Sequence, residues 1–213
     1  MPVQTVPNGA HGFDANSVLS VPRCQQARAK GFVFAVRYVA LGTSPGSGNL
    51  SASEVKAIVS SGLGLMPVQH VAKPGWTPSA ASGQANGQNA AAHAASATLL
   101  PGINLWVDLE GINHTTPAED VIAYCNAWCA EVVQAGFVPG VYVGADAILT
   151  GDQLYWRLQL KHYWKSGSRV PDIPHRGYQL VQRIVAGDSP FGIDIDRNLA
   201  TTDSFGNAAL MLT

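Results

Sequence analysis

The stretch that decides the fold is Ile103-Asn104-Leu105-Trp106-Val107-Asp108-Leu109-Glu110-Gly111. Its apolar start predicts a buried strand, which the glycine ends. Because successive side chains of a strand point to opposite faces, Asp108 and Glu110 share one face at the strand's exit. Two carboxyl groups held so close interact, so that one can have a raised pKa while the other stays ionised. Hydrolysis of a glycosidic bond requires this division of roles.

Around this stretch the chain alternates short apolar strands with helical segments. Three helices end at a glycine just before the next strand, at Gly31, Gly62 and Gly136. The spacing of Ser51 and Glu54 fits a capping box and predicts the start of a helix. This repetition is typical of βα units.

The apolar runs predict eight strands, with helices between the first five and shorter, less helical connections afterwards. Eight mostly parallel strands favour an α/β fold, a single TIM-type (β/α)8 barrel with reduced helices in its C-terminal part, as one domain over residues 1–213. The predicted strands are Gly12–Ala15, Val33–Val39, Gly64–Val71, Ile103–Glu110, Pro139–Gly144, Gln159–Trp164, Tyr178–Arg183 and Gly192–Asp196.

Composition disfavours several classes of partner. With 13 basic and 14 acidic side chains among 213 residues, the chain has no basic surplus for binding nucleic acid or an anionic membrane.

No apolar stretch is long enough to span a membrane. Residues 1–5 show no signal-peptide pattern, so we expect synthesis in the cytoplasm and delivery to the envelope or exterior by another route. Cys24, Cys125 and Cys129 are expected to be buried free thiols.

In a βα barrel the active site lies at the C-terminal ends of the strands, where this chain carries a group of acids. Asp14 ends the first predicted strand, Asp108 and Glu110 end the fourth, and Asp194 and Asp196 lie on the eighth. Polar and aromatic residues of the other strands are candidates for substrate binding. These are Arg37, Tyr38, Gln69, His70, Tyr142, Trp164 and Gln179. Trp106 is expected to pack between barrel and helices.

Several stretches, which together span nearly the whole chain in order, match a known family. They are Gly12-Phe13-Asp14, Phe34-Ala35-Val36-Arg37-Tyr38, Leu105-Trp106-Val107-Asp108-Leu109-Glu110-Gly111, Gly140-Val141-Tyr142, Tyr178-Gln179 and Gly192-Ile193-Asp194-Ile195-Asp196. In these stretches the chain resembles glycoside-hydrolase-like domains of the DUF1906 type, which are related to the family 25 lysozymes that cleave peptidoglycan. By this resemblance the catalytic acids are Glu110, Asp108, Asp14 and Asp194, with Asp196 as a second candidate on the eighth strand.

The resulting expectation is a hydrolase of a β-linked amino-sugar polymer, with peptidoglycan as the leading candidate and no cofactor or metal. Glu110 would protonate the leaving oxygen, and Asp108 would raise the pKa of Glu110 and stabilise the oxocarbenium-like transition state. Asp14 or Asp194 would orient water or the substrate's acetamido group.

Two other classes of function remain open from the sequence. One is a non-catalytic sugar-binding or structural barrel, which would keep Trp164 for stacking but would need no shifted pKa. The other is a metal-dependent hydrolase with Asp14, Asp108, Glu110 and His70 as ligands. The oligomeric state is open as well.

Overall fold

Over residues 2–213 the computed structural model has ten strands and five helices, and from the second strand to the fifth helix strands and helices alternate. The strands are β1 (Val3–Thr5), β2 (His11–Ala15), β3 (Phe34–Val39), β4 (Gly64–Gln69), β5 (Asn104–Leu109), β6 (Val138–Val143), β7 (His162–Lys165), β8 (Leu180–Arg183), β9 (Asp196–Ala200) and β10 (Leu210–Leu212). The helices are α1 (Val21–Ala29), α2 (Ala52–Ser60), α3 (Ala80–Ser96), α4 (Ala118–Gln134) and α5 (Gly151–Arg157).

Strands β2 to β9 close into an eight-stranded barrel. Strands β2 to β8 are parallel neighbours in chain order, and β9 completes the ring between β8 and β2. Along the described chain, no helix joins β7 to β8 or β8 to β9, and α5 has only seven residues. The predicted α/β barrel with reduced C-terminal helices is confirmed.

The eighth predicted strand was placed wrongly. The barrel strand is β9, Asp196–Ala200, whereas residues 192–195 form turns and irregular backbone. It is antiparallel to both neighbours, and Asp196 pairs with Asp14. After β8 the chain turns back on itself without forming a helix. Strand β9 therefore begins at the barrel end where the parallel strands finish.

Strands β1 and β10 were not predicted, because three-residue strands are too short to show a period. They pair antiparallel with each other, and β10 also pairs with the start of β4, between Leu212 and Leu65. The other end of β4 pairs with β5, between Val68 and Trp106. Strand β4 thus serves both the barrel and this added pair.

The barrel interior is filled by large side chains that fit against glycines. A Cβ atom on Gly12 would lie 2.3 Å from the ring of Phe34, and one on Gly140 would lie 2.4 Å from the ring of Trp106. Trp106 is therefore inside the barrel, on the face it shares with Asp108, and not between barrel and helices as expected. Its ring lies 5.9 Å from that of Trp164. These buried rings form a floor beneath the barrel mouth.

Outside the barrel, α3 and α4 pack closely because α3 presents small residues to its neighbour. A Cβ atom on Gly83 would lie 2.2 Å from the carbonyl oxygen of Tyr124, and one on Gly87 would lie 2.8 Å from that of Trp128. The backbones approach where side chains would otherwise hold them apart.

Within the described chain, no helix is both long and apolar enough to cross a membrane. All three cysteines are buried and free, as expected.

Candidate active site

The predicted acids meet at the mouth of the barrel. Asp14 lies near the end of β2, Asp108 near the end of β5, and Glu110 one residue beyond β5. Asp196 starts β9 directly beside Asp14, and Asp194 lies in the preceding loop. Alternation along each strand turns Asp14, Asp108 and Asp196 inward, because the residues next to them in the strands face outward.

Asp14 is the most fully hydrogen-bonded of these acids. It is buried, and its Oδ2 atom accepts hydrogen bonds from Gln182 Nε2 at 2.9 Å and Asn198 Nδ2 at 2.7 Å. Burial raises the pKa of Asp14, the two hydrogen bonds lower it, and Asp196 raises it again, which leaves it at about 7. Asp14 therefore changes charge close to neutral pH.

Asp108 and Glu110 form a pair of interacting carboxyl groups. Asp108 is buried, and its Oδ1 atom has no hydrogen-bond partner among the described residues. Burial, the charge of Glu110 and the charge of Asp14 all hold the pKa of Asp108 well above its usual range. Burial also raises the pKa of the half-buried Glu110. The pair thus retains a proton at a pH where free carboxyl groups have lost theirs.

The position of Glu110 depends on the glycine opposite it. A Cβ atom on Gly144 would lie 2.4 Å from the Cβ atom of Glu110 and 2.7 Å from its Oε2 atom. The backbone is held as well, because Trp76 Nε1 donates to the Glu110 carbonyl oxygen at 2.8 Å and Gly111 N donates to the Ala145 carbonyl at the same distance. Glu110 is therefore fixed at the rim, where it can reach a ligand.

Two tyrosines and a histidine complete the mouth. Burial raises the pKa values of Tyr38 and Tyr142, and the nearby acids raise them further, so both phenols stay neutral hydrogen-bonding groups. The ring of His70 stacks on Tyr38 with centroids 4.4 Å apart. Burial, and secondly the charge of Arg37, lowers the pKa of His70. These residues lie where the sequence predicted them.

Open space adjoins the acids on two sides. One cleft of about 200 Å³ has Asp14, Tyr38, Asp194 and Asp196 among its lining residues. Another of about 340 Å³ is lined by the loop after β4, by Glu110 and by the loop after β6. Asp194 is exposed and accepts a hydrogen bond from Ser189. Burial and the charge of Asp188 raise the pKa of Asp196.

Arg37 does not line these clefts, which corrects its assignment to substrate binding. Its side chain points outward from β3 and is fully buried. Its Nε atom donates to Glu54 Oε1 at 2.6 Å, and its other nitrogens donate to Glu54 Oε2 and to the carbonyls of Ala15 and Gly48. With its donors engaged inside the protein, Arg37 is structural.

Gln69 and Gln179 are corrected for the same reason. Both are buried on the outer face of the barrel. Gln69 accepts a hydrogen bond from Trp128 Nε1 at 2.8 Å and donates to backbone carbonyls. Gln179 accepts from Tyr163 N and donates to Asp203 Oδ2, both at 2.6 Å. Neither side chain faces the mouth.

Trp164 lies under the site rather than beside it. Only 1% of its surface is exposed, so it presents no free face to a sugar ring. Its ring packs edge-on against Tyr142 at 4.7 Å, and its Nε1 atom donates to Asn198 Oδ1 at 2.7 Å. The expected stacking role is replaced by support for the residues above.

A family model, the Rv2525c-like glycoside hydrolase-like domain, matches residues 25–200. The chain belongs to this family. No curated protein matches it.

Solved structures agree on the fold. The Tat-secreted protein Rv2525c of Mycobacterium tuberculosis, crystallised with L-tartrate, is 19% identical, with a TM-score of 0.70 over 94% of this chain and 99% of that one. The catalytic domain of the endolysin ply40 from Listeria monocytogenes bacteriophage P40 is 15% identical, with a TM-score of 0.66 over 92% and 95%. A family 25 glycosyl hydrolase from Bacillus anthracis is 12% identical, with a TM-score of 0.62 over 94% and 93%. At these identities the likeness concerns the fold.

Gln182 and Asn198 are site residues that sequence reasoning missed. Gln182 lies one residue before the end of β8 and faces inward, three positions beyond the selected Gln179. Asn198 lies outside the predicted eighth strand, so no inspection of that strand could reveal it. The alternation of β8 was the available signal for Gln182.

The donor set also bears on metal binding. In the part of the chain that the structure describes, no group of three or more His, Cys, Asp or Glu side chains is arranged to hold a metal ion. The acids at the mouth are instead surrounded by amides and phenols, which donate hydrogen bonds. Chemically, this arrangement suits proton transfer between carboxyl groups and a neutral polar ligand.

Proposed function

We propose that the chain is a glycoside hydrolase that cleaves the β-linked amino-sugar backbone of peptidoglycan. The observation that carries this proposal is the grouping of Asp14, Asp108 and Glu110 in one mouth, all with raised pKa values. Glycosidases need one carboxyl group that holds its proton until the bond breaks and another that works as an anion.

The three acids can divide these roles by their surroundings. Glu110, on the rim, donates its proton to the leaving glycosidic oxygen. Asp108, buried beside it, stabilises positive charge on the sugar ring as the bond breaks and keeps the pair protonated beforehand. Asp14 orients the attacking water, and the phenols of Tyr38 and Tyr142 bind sugar hydroxyl groups.

The choice of peptidoglycan rests on the neighbours. Proteins named as an endolysin and a family 25 glycosyl hydrolase share the fold, which supports a cell-wall glycan as substrate. Rv2525c is Tat-secreted, which supports action in the envelope or outside the cell. The clefts on either side of the acids would take sugars flanking the scissile bond.

Mass spectrometry of peptidoglycan incubated with the protein tests the proposal. We expect new reducing ends from the wild type and none from Glu110→Gln, since the amide is nearly isosteric but has no proton to donate. Glu119→Gln is the matched control, because Glu119 is exposed on α4 and, among the described residues, forms its ion pair with the exposed Arg157. Activity of Glu110→Gln within a factor of about three of the wild type would remove Glu110 from the acid role.

The same assay separates the other classes of function. Binding of peptidoglycan without any cleavage product would identify a carbohydrate-binding module instead. Cleavage that disappears with chelator and returns with a divalent ion would identify a metal-dependent hydrolase. Either result overturns the proposed mechanism.

A further inference from the structure

Two buried side-chain amides converge on a single oxygen of Asp14. Gln182, from β8, and Asn198, from β9, are 5% and 1% exposed. Both donate to Asp14 Oδ2, at 2.9 and 2.7 Å. A buried carboxyl oxygen that receives two N–H donors is strongly held in one orientation.

Neighbouring groups that can only donate dictate how these amides are turned. Trp164 Nε1 lies 2.7 Å from Asn198 Oδ1, and an indole N–H has no acceptor capacity. Backbone Gly167 N lies 3.2 Å from Gln182 Oε1, which also accepts from the Tyr142 hydroxyl at 2.9 Å. Each amide must therefore present its oxygen to these donors and its NH₂ group to Asp14.

This arrangement constrains the chemistry of Asp14. Its Oδ2 atom already accepts from two N–H groups, so a proton bound to Asp14 must sit on Oδ1. The charged and titratable groups around it are Asp196 on β9, Asp108 on β5, and the phenols of Tyr38 and Tyr142. Asp194 lines the same cleft. The amides thus favour the ionised form of Asp14 against burial and the like charges nearby.

We infer that Gln182 and Asn198 are positioning residues that make Asp14 the proton acceptor of the hydrolytic step, with Trp164 fixing the orientation of Asn198. This inference rests on the proposed function. Asp14 takes a proton from the attacking water, whose oxygen bonds to the anomeric carbon. The bond from that carbon to the leaving oxygen breaks, and Glu110 donates its proton to the leaving oxygen. Asp14 thus gains one proton and Glu110 loses one. Trp164 acts on Asp14 without touching it.

The test is an NMR titration of Asp14 in protein labelled with ¹³C at the aspartate carboxyl groups. The chemical shift of the Asp14 carboxyl carbon reports its pKa, and the signal is assigned by its absence from Asp14→Asn. Asn198→Leu removes one donor and should raise the pKa of Asp14 by about one unit or more. Trp164→Phe removes the group that orients Asn198, and should raise the pKa of Asp14 by a smaller amount.

Trp106→Phe is the matched control. Trp106 and Trp164 are both buried in the barrel interior, and their rings touch, but Trp106 Nε1 has no hydrogen-bond partner among the described residues. Both substitutions shrink the same core, but only Trp164→Phe removes a hydrogen bond to the Asp14 network. The pKa of Asp14 should therefore stay unchanged in Trp106→Phe.

An unchanged pKa of Asp14 in Trp164→Phe, or an equal rise in Trp106→Phe, would overturn the inference, because packing alone would then explain the data. If Asn198→Leu does not fold, Trp164→Phe decides the question alone. The titration requires no turnover, so it decides the positioning role even if peptidoglycan is not cleaved. Where cleavage occurs, the acidic limb of the pH profile should move upward with the pKa of Asp14.

Discussion

Asp14→Asn should flatten the dependence of stability on pH. In the folded protein the pKa of Asp14 is about 7, compared with an ordinary value of 3.8. The folded state therefore binds a proton over a pH range in which the unfolded state has lost it. By linkage, the stability due to this group is fully present below about pH 3.8 and is lost as the pH rises to about 7.

The size of the effect follows from the two pKa values. Each pKa unit corresponds to about 1.4 kcal/mol, so Asp14 alone should lower the free energy of unfolding by about 3 kcal/mol between about pH 4.5 and 7.5. In the variant, the Asn oxygen can still accept from Gln182 and Asn198, but nothing ionises. Loss of the charge also relieves Asp108, which flattens the curve further.

Urea denaturation of both proteins at several pH values measures this difference. Asp120→Asn is the control, since Asp120 is exposed on α4 and should leave the slope as in the wild type. All other titratable residues are the same in the wild type and in Asp14→Asn. If wild type and Asp14→Asn lose the same free energy of unfolding over this pH range, the raised pKa of Asp14 in the folded protein is refuted.

Three further predictions concern the surroundings of the acids. Arg37→Met leaves Glu54 buried without its partner, and should lower the free energy of unfolding by about 3–5 kcal/mol in urea denaturation. Gly144→Ala inserts a methyl group against Glu110, so peptidoglycan cleavage should fall at least about tenfold while circular dichroism stays unchanged. Excess chelator should leave the cleavage rate unchanged, because a bound cation would deprotonate the acid that must donate.

The acids of the site could be predicted because they obey simple rules. Asp108 and Glu110 follow an apolar run, Asp14 ends a short predicted strand, and strand ends in a βα barrel share one mouth. Their separations and partners could not be predicted in this way. Asp14 is held by β8 and β9, which are distant along the chain, and only the closed barrel brings them together.

The misassigned residues show what strand alternation forbids. Arg37 and Tyr38 are consecutive in β3, so both cannot face the mouth, and the aromatic residue is the inward one. Gln69 and His70 repeat this pattern at the end of β4. The rule was available in the sequence, but which member of each pair faced inward depended on the register of the barrel. Polarity alone was a poor guide, because the outward residues bind buried backbone and helix groups.

Glu54 illustrates how local and tertiary demands compete. Its spacing from Ser51 predicts a capping box, and Ser51 does accept a hydrogen bond from Glu54 N at 3.3 Å. The Glu54 carboxylate, however, turns to Arg37 and also accepts from Leu19 N at 2.7 Å. A buried guanidinium needs a partner more than a helix end does, since the helix end can be solvated.

The Arg37–Glu54 pair in turn supports the site from behind. Arg37 donates to the carbonyl of Ala15, the residue after Asp14, and so ties the end of β2 to β3 and α2. This contact holds the backbone directly after Asp14. A polar network outside the barrel thus fixes the backbone from which Asp14 projects, just as Gln182 and Asn198 fix its carboxyl group inside. Asp14 is held from both faces of one strand, and these contacts fix the orientation of its carboxyl group at the mouth.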